Sequence, residues 1–168
     1  MSPTPSALRL AFITLASLCS AAPTLAQNNA SATVTAAVQQ PITVTKDNDL
    51  SFGNVFPGID KSIAVTAGGA AKFTVAGQAS TPVNLTFTLP ATITSSGNNL
   101  TLANWTGHHA TTDVTTGGTT FTPSASATSA TLSTSGAMYV YVGSTAQPTS
   151  TQAAGSYSGT MSMTVVYF

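Results

Sequence analysis

The sequence predicts an all-β protein, an antiparallel sandwich or barrel of short strands, and three observations carry that expectation. Apolar and small polar residues alternate with period two, most strongly at the C-terminus, where Tyr157, Met161, Met163, Val165 and Tyr167 share one parity and Ser158, Thr160, Ser162 and Thr164 the other. Such runs recur roughly every ten residues between turns rich in Gly, Ser and Thr. Threonine is abundant and glutamate absent, which favours strands over helices. No amphipathic helical period appears after residue 27.

In chain order, Ala30, Ala32, Val34, Ala36 and Val38 form a first, mildly apolar strand, punctuated by Pro41. Ile42 and Val44 open a second, ended by the turn Lys46-Asp47-Asn48-Asp49. Leu50, Phe52 and Val55 suggest a third, closed by Pro57-Gly58. Ile63 and Val65, then Phe73 and Val75, give short strands around Gly68-Gly69. Val83, Leu85, Phe87 and Leu89 give the cleanest alternation, ending at Pro90. Ile93, then Leu100, Leu102 and Trp105, then Phe121, and finally Met138, Val140 and Val142 with Tyr139 and Tyr141 opposite, mark the rest. Residues 107–136 are nearly all Thr, Ser, Ala and Gly, with room for two weak strands.

Arg9 followed by the apolar run Leu10 to Leu18 reads as an export leader too short to span a membrane. Cleavage after Thr24-Leu25-Ala26 places small residues at the two decisive sites and leaves residues 27–168 as one domain. The expected organisation is a leader over 1–26, an N-terminal extension over 27–40 and a sandwich over 41–168. The single cysteine, Cys19, falls in the leader, so the mature chain forms no disulfide. It also holds only Lys46, Lys61 and Lys72 against Asp47, Asp49, Asp60 and Asp113. That balance cannot neutralise a phosphate backbone, which argues against nucleic-acid and anionic-membrane partners.

Few constellations carry chemistry. His108-His109 with Asp113 is the only cluster resembling metal ligands, but adjacent strand residues point to opposite faces and no third strong ligand is evident. Asp47-Asn48-Asp49 lacks the glycine and distal glutamate of a calcium loop and reads as a turn. No nucleophile elbow or convincing carboxylate pair is found, so no catalytic residue, metal or cofactor is expected. Trp105 with Tyr139 or Tyr141 could stack on a sugar, which gives an alternative reading as a self-complemented monomeric carbohydrate-binding domain.

The terminal strand carries a resemblance. With Gly155 fourteenth from the end, Tyr167 penultimate and apolar residues alternating between them, it is similar to the C-terminal signature of pilus subunits assembled by the chaperone-usher pathway. The stretch Ile42 to Gly58 resembles the N-terminal region of spore-coat-U-like and related bacterial secreted domains. The resemblance implies an incomplete immunoglobulin-like sandwich beside whose last strand a groove lies open. A periplasmic chaperone, then the extension of the next subunit at the outer-membrane usher, would fill it by strand addition.

By position, Ala30, Ala32, Val34, Ala36 and Val38 are the donor row. Gly155, Tyr157, Met161, Met163, Val165 and Tyr167 are the acceptor row. The implied function is that of an exported, non-enzymatic fimbrial subunit at the cell surface, whose partners are copies of itself or related subunits. The donor row departs from the family in being alanine-rich, and the family's common disulfide is missing. An outer-membrane barrel ending in Phe168 is disfavoured by parity, because Thr164, Ser162 and Thr160 on the Phe168 face are too polar to meet lipid. Insertion of residues 30–38 into their own chain or into a neighbour uses the same pattern, and the sequence leaves both open.

Overall fold

Val83, Leu85 and Phe87 alternate with Asn84 and Thr86, and the strand they form is the centre of the core: Val83 and Leu85 are fully buried. The computed structural model describes residues 28–168, and the expected leader over residues 1–26 lies outside them. Ten strands are found there: β1 (Thr43–Asn48), β2 (Lys61–Ile63), β3 (Ala71–Ala76), β4 (Pro82–Thr88), β5 (Thr92–Ser95), β6 (Asn98–Ala110), β7 (Thr119–Phe121), β8 (Thr128–Thr131), β9 (Ala137–Gln147) and β10 (Ser162–Tyr167). No helix of the described residues is long and apolar enough to cross a membrane.

The strands form two antiparallel sheets. The larger has the order β1-β3-β9-β6-β5, with β2 beside the second half of β9 and β7 beside β6. The smaller is β10-β4-β8. Phe73 and Val75 from β3 and Met138, Val140 and Val142 from β9 share a buried cluster with Val83, Leu85 and Phe87 from β4 and Val165 from β10. This is a sandwich core, two apolar faces closed on each other. Each side chain of that size contributes about 1.5–3 kcal/mol by leaving water. A second, smaller cluster joins Leu100, Leu102 and Ala146, with Phe52, Val55, Ile93 and Tyr157 against it, and Trp105 touches both.

Three expectations are corrected. Residues 28–41 belong to no strand and are exposed, so the strand expected over Ala30 to Val38 is not formed. Alternation alone gives no ladder partner for its backbone groups, and an unpartnered strand does not hold in water. Leu50 to Gly58 is a loop, because Gly53 and Gly58 take left-handed φ of 61° and 73° and break the extended path. Leu50, Phe52 and Val55 still pack inward from it.

The terminal strand is also shorter than its alternation suggests. Only Ser162–Tyr167 pairs with β4. Gly155 to Met161 runs beside the other sheet, where Ser158 and Thr94 exchange two backbone hydrogen bonds of 3.0 Å. Gly159 permits this path: a Cβ there would stand 2.7 Å from Ile93 Cγ2. The weakly patterned stretch 107–136 holds β7 and β8, two short strands, as its composition allows.

Candidate functional site

β10 is one of the edge strands of the fold, as β1, β5 and β8 are, and so has unspent pairing capacity. One edge is laddered to β4 from Ser162 opposite Thr88 to Tyr167 opposite Val83. Its other edge has no strand partner among the described residues. The parity expected from sequence holds here. Met163, Val165 and Tyr167 pack on the core, with Val165 9% exposed, while Val166 and Phe168 are 50% and 65% exposed. Met163 and Tyr167 are only half-buried although they face inward.

Across the opening stands β1, which is exposed along its whole length. Opposite residues of an antiparallel pair share a face. Val44 lies opposite Val75, and Lys46 opposite Phe73, so Val44 and Lys46 point to the core side. Val75 is fully buried there, yet Val44 is 40% exposed. The sandwich is therefore open between β1 and β10, with apolar side chains on both banks.

The two ends of this opening differ. At one end the Tyr167 hydroxyl accepts the Gln78 N–H at 2.6 Å and donates to the Gln40 carbonyl at 2.7 Å. The Gln40 N–H donates to Gln78 Oε1 at 3.3 Å. Penultimate Tyr167 thus ties down the residue at which the N-terminal extension joins the body. At the other end, Lys46, Phe73 and Met161 open into a cleft of about 950 Å³, floored by Leu100, Leu102 and Trp105. Residues 49–57 and 152–161 form its walls.

The predicted acceptor residues are thereby divided. Met161, Met163, Val165 and Tyr167 pack on the main core. Tyr157 packs on the smaller cluster instead, its hydroxyl donating to the Ala153 carbonyl at 2.7 Å and accepting Gln152 Nε2 at 2.6 Å. Gly155 lies against Ser95. Of the predicted donor residues, Val34 and Val38 are 94% and 97% exposed.

The aromatic trio expected to stack on a sugar is not one surface. Trp105 packs on both core clusters. Tyr139 and Tyr141 lie opposite Thr74 and Lys72, on the other face of the larger sheet. There Lys72 Nζ stands 5.4 Å and 5.9 Å from the two ring centroids, ion-pairs with Asp113 at 2.7 Å and reaches Asp47 at 3.9 Å. The Tyr141 hydroxyl also donates to Asp113. Burial, then the Asp113 carboxylate, pushes the Tyr141 phenol up to about 12.

The hydrogen bond from Lys72, then that from Tyr141, holds the Asp113 carboxyl below its ordinary value of 3.8. A depressed carboxyl stabilises the fold above its unfolded pKa and loses that contribution as pH falls through the folded one. Asp113→Asn should therefore lower Tm near neutrality by a small margin that closes in acid. Melting curves of both proteins against pH check this, and a gap undiminished below the carboxylate range would contradict it.

His108 and His109 point to opposite faces, as expected. His108 is buried and stacks near Tyr141, its ring centroid 6.2 Å away; His109 faces Phe121 at 5.7 Å. Burial, with His108 beside it, holds the His109 imidazole below its usual range. Among the described residues no three acidic, His or Cys side chains gather to hold a metal. Asp47 accepts from Thr74 Oγ1 at 2.6 Å, Asp49 pairs with Lys46 at 2.7 Å, and Asn48 donates to the Gly68 carbonyl at 3.1 Å.

Sequence reasoning missed the Tyr167 tie, the cleft and the Lys72–Asp113–Tyr141 cluster. Only the penultimate tyrosine signalled the first, and nothing local signalled the others, whose members lie far apart in the chain. A family model described as "Domain of unknown function (DUF4402)" matches residues 42–167. Its match starts at Ile42, the residue with which inward packing on the core begins. None of the curated proteins matches the chain.

Proposed function

This chain belongs to the DUF4402 family, whose function is not assigned, and from that premise we propose that it is an exported structural subunit of a fimbria-like surface polymer assembled by strand exchange. The observation that carries the reading is the free edge of β10, with half-buried Met163 and Tyr167 beside it and Val44 uncovered across the opening. An added strand would give that edge a ladder of backbone hydrogen bonds, and its alternate side chains would cover the exposed apolar row. The donor is the extension, whose row Ala30, Ala32, Val34, Ala36 and Val38 has the period of a strand and stands exposed. A periplasmic chaperone would shield the opening before assembly, and an usher would exchange it for the donor. An exposed, long edge otherwise invites uncontrolled pairing. The reading needs no catalytic group, metal or cofactor.

Removal of residues 27–39 is the direct experiment. The truncated protein keeps every strand of both sheets, so it should fold, bind the chaperone and fail to polymerise. Fibres of unchanged length and yield from the truncated protein would rule the proposal out.

A further inference from the structure

The sequence holds four methionines, Met1, Met138, Met161 and Met163. Met1 falls in the expected leader. Met138, on β9, is fully buried in the main cluster. Met161 and Met163 are half-buried and share the row that packs on the core beside the opening between β1 and β10. Met163 lies opposite Phe87 in the ladder to β4, and Met161 lines the cleft at the end of the opening. The solvent-reachable thioethers of the described residues thus stand together where the sandwich is unclosed.

A methionine sulfur that an oxidant can reach takes up one oxygen atom and becomes a sulfoxide. With hydrogen peroxide, a sulfur lone pair attacks the O–O bond: the S–O bond forms, the O–O bond breaks, and the second oxygen leaves as water. Sulfur is oxidised by two electrons and the peroxide is reduced by the same two. The only cysteine, Cys19, is in the expected leader, so no thiol of the mature chain competes for the oxidant. The product replaces a flexible apolar side chain with a polar, chiral one.

In the open sandwich a sulfoxide oxygen at Met161 or Met163 turns to water. Under an added strand it loses that water. Its neighbours are then the apolar side chains of the main cluster, and the Tyr167 hydroxyl is already engaged at Gln78 and Gln40. A buried polar group without a partner weakens the covered state on the order of tenfold to a hundredfold. Resting on the strand-exchange reading above, we propose that Met161 and Met163 are peroxide oxidation sites on subunits whose opening is uncovered, and that their sulfoxides bar those subunits from accepting a strand. A chaperone or a donor strand shields both sulfurs, so the modification falls on uncovered subunits and spares assembled ones. Sulfoxide reductases, one for each epimer, would reverse it.

Purified monomer and purified polymer of the exported chain are treated with hydrogen peroxide, and each methionine is followed by peptide mass spectrometry. In the monomer, Met161 and Met163 are expected to gain one oxygen atom each well before Met138. In the polymer none of the three is expected to change. The oxidised monomer, still folded by circular dichroism, is expected to assemble less by about tenfold or more. Met161→Leu and Met163→Leu, made singly and together, keep the apolar volume, and the double variant is expected to assemble alike with and without peroxide.

Oxidation of Met138 at the same rate, or of Met161 and Met163 equally in monomer and polymer, would overturn the assignment of the site. Undiminished assembly of the oxidised monomer, its unfolding, or an equal loss in the peroxide-treated double variant would overturn the effect on assembly. Untreated monomer that never assembles would bring down the strand-exchange reading instead, while the order of oxidation in that monomer still decides the site.

Discussion

Val34→Asp is expected to abolish polymerisation while leaving the fold intact. Val34 is the central residue of the donor row and is 94% exposed in the isolated chain. A change at an exposed position away from special backbone geometry shifts stability by about 0.5 kcal/mol or less. In the polymer the same side chain would face the core between β1 and β10. An unpaired carboxylate there is strongly unfavourable, and burial of an unhydrogen-bonded polar group alone costs a few kcal/mol. A penalty of about 4 kcal/mol corresponds to roughly a thousandfold loss of association. The two states of one residue thus predict a wild-type melting temperature with no fibres. Thermal unfolding of the purified monomer and electron microscopy of cells check the two halves separately, and normal fibres carrying the aspartate would contradict the donor assignment.

Leu85→Ala is expected to show the opposite pattern, a large loss of stability. Leu85 is fully buried at the centre of β4, between the ladders to β8 and β10. Truncation of such a leucine removes apolar burial and leaves a cavity that the flanking strands cannot close, costing about 2–5 kcal/mol. For a domain of this size, 1 kcal/mol corresponds to about 2–4 °C, so a Tm drop on the order of 10 °C is anticipated. Because β4 holds β10 in place, accumulation of the exported protein should fall with it. A drop under about 2 °C would show that the core is not centred on β4.

The fold was legible wherever apolar and polar residues contrast sharply. Val83, Leu85 and Phe87, and Met163, Val165 and Tyr167, each declared both the strand and its buried face. Legibility failed where the same pattern arises without a ladder. Leu50 and Phe52 alternate as a strand would, but the left-handed glycines at 53 and 58 turn the chain into a loop that drops those side chains inward. Ala30 to Val38 alternate with no partner strand among the described residues.

Gly155 and Gly159 carry no side chain to announce a face, so the bend that moves Tyr157 onto the smaller cluster was invisible. β8 was obscure for a different reason: in Thr128–Thr131 only Ala130 is buried. Of the candidate site, the inward parity of β10 was readable. The Tyr167 tie to Gln40 and Gln78 was not, because it joins residues 127 and 89 apart in sequence.

The central claim is that the free edge of β10 takes a strand from another copy. A strand buried along its full length in a neighbouring sandwich leaves only when that sandwich opens, so the assembly is kinetically stable. The most direct measurement is a detergent gel of surface protein, run unheated and after boiling. The account predicts a ladder of evenly spaced multiples in the unheated sample that collapses to monomer on boiling, and a single monomer band in both lanes would contradict it.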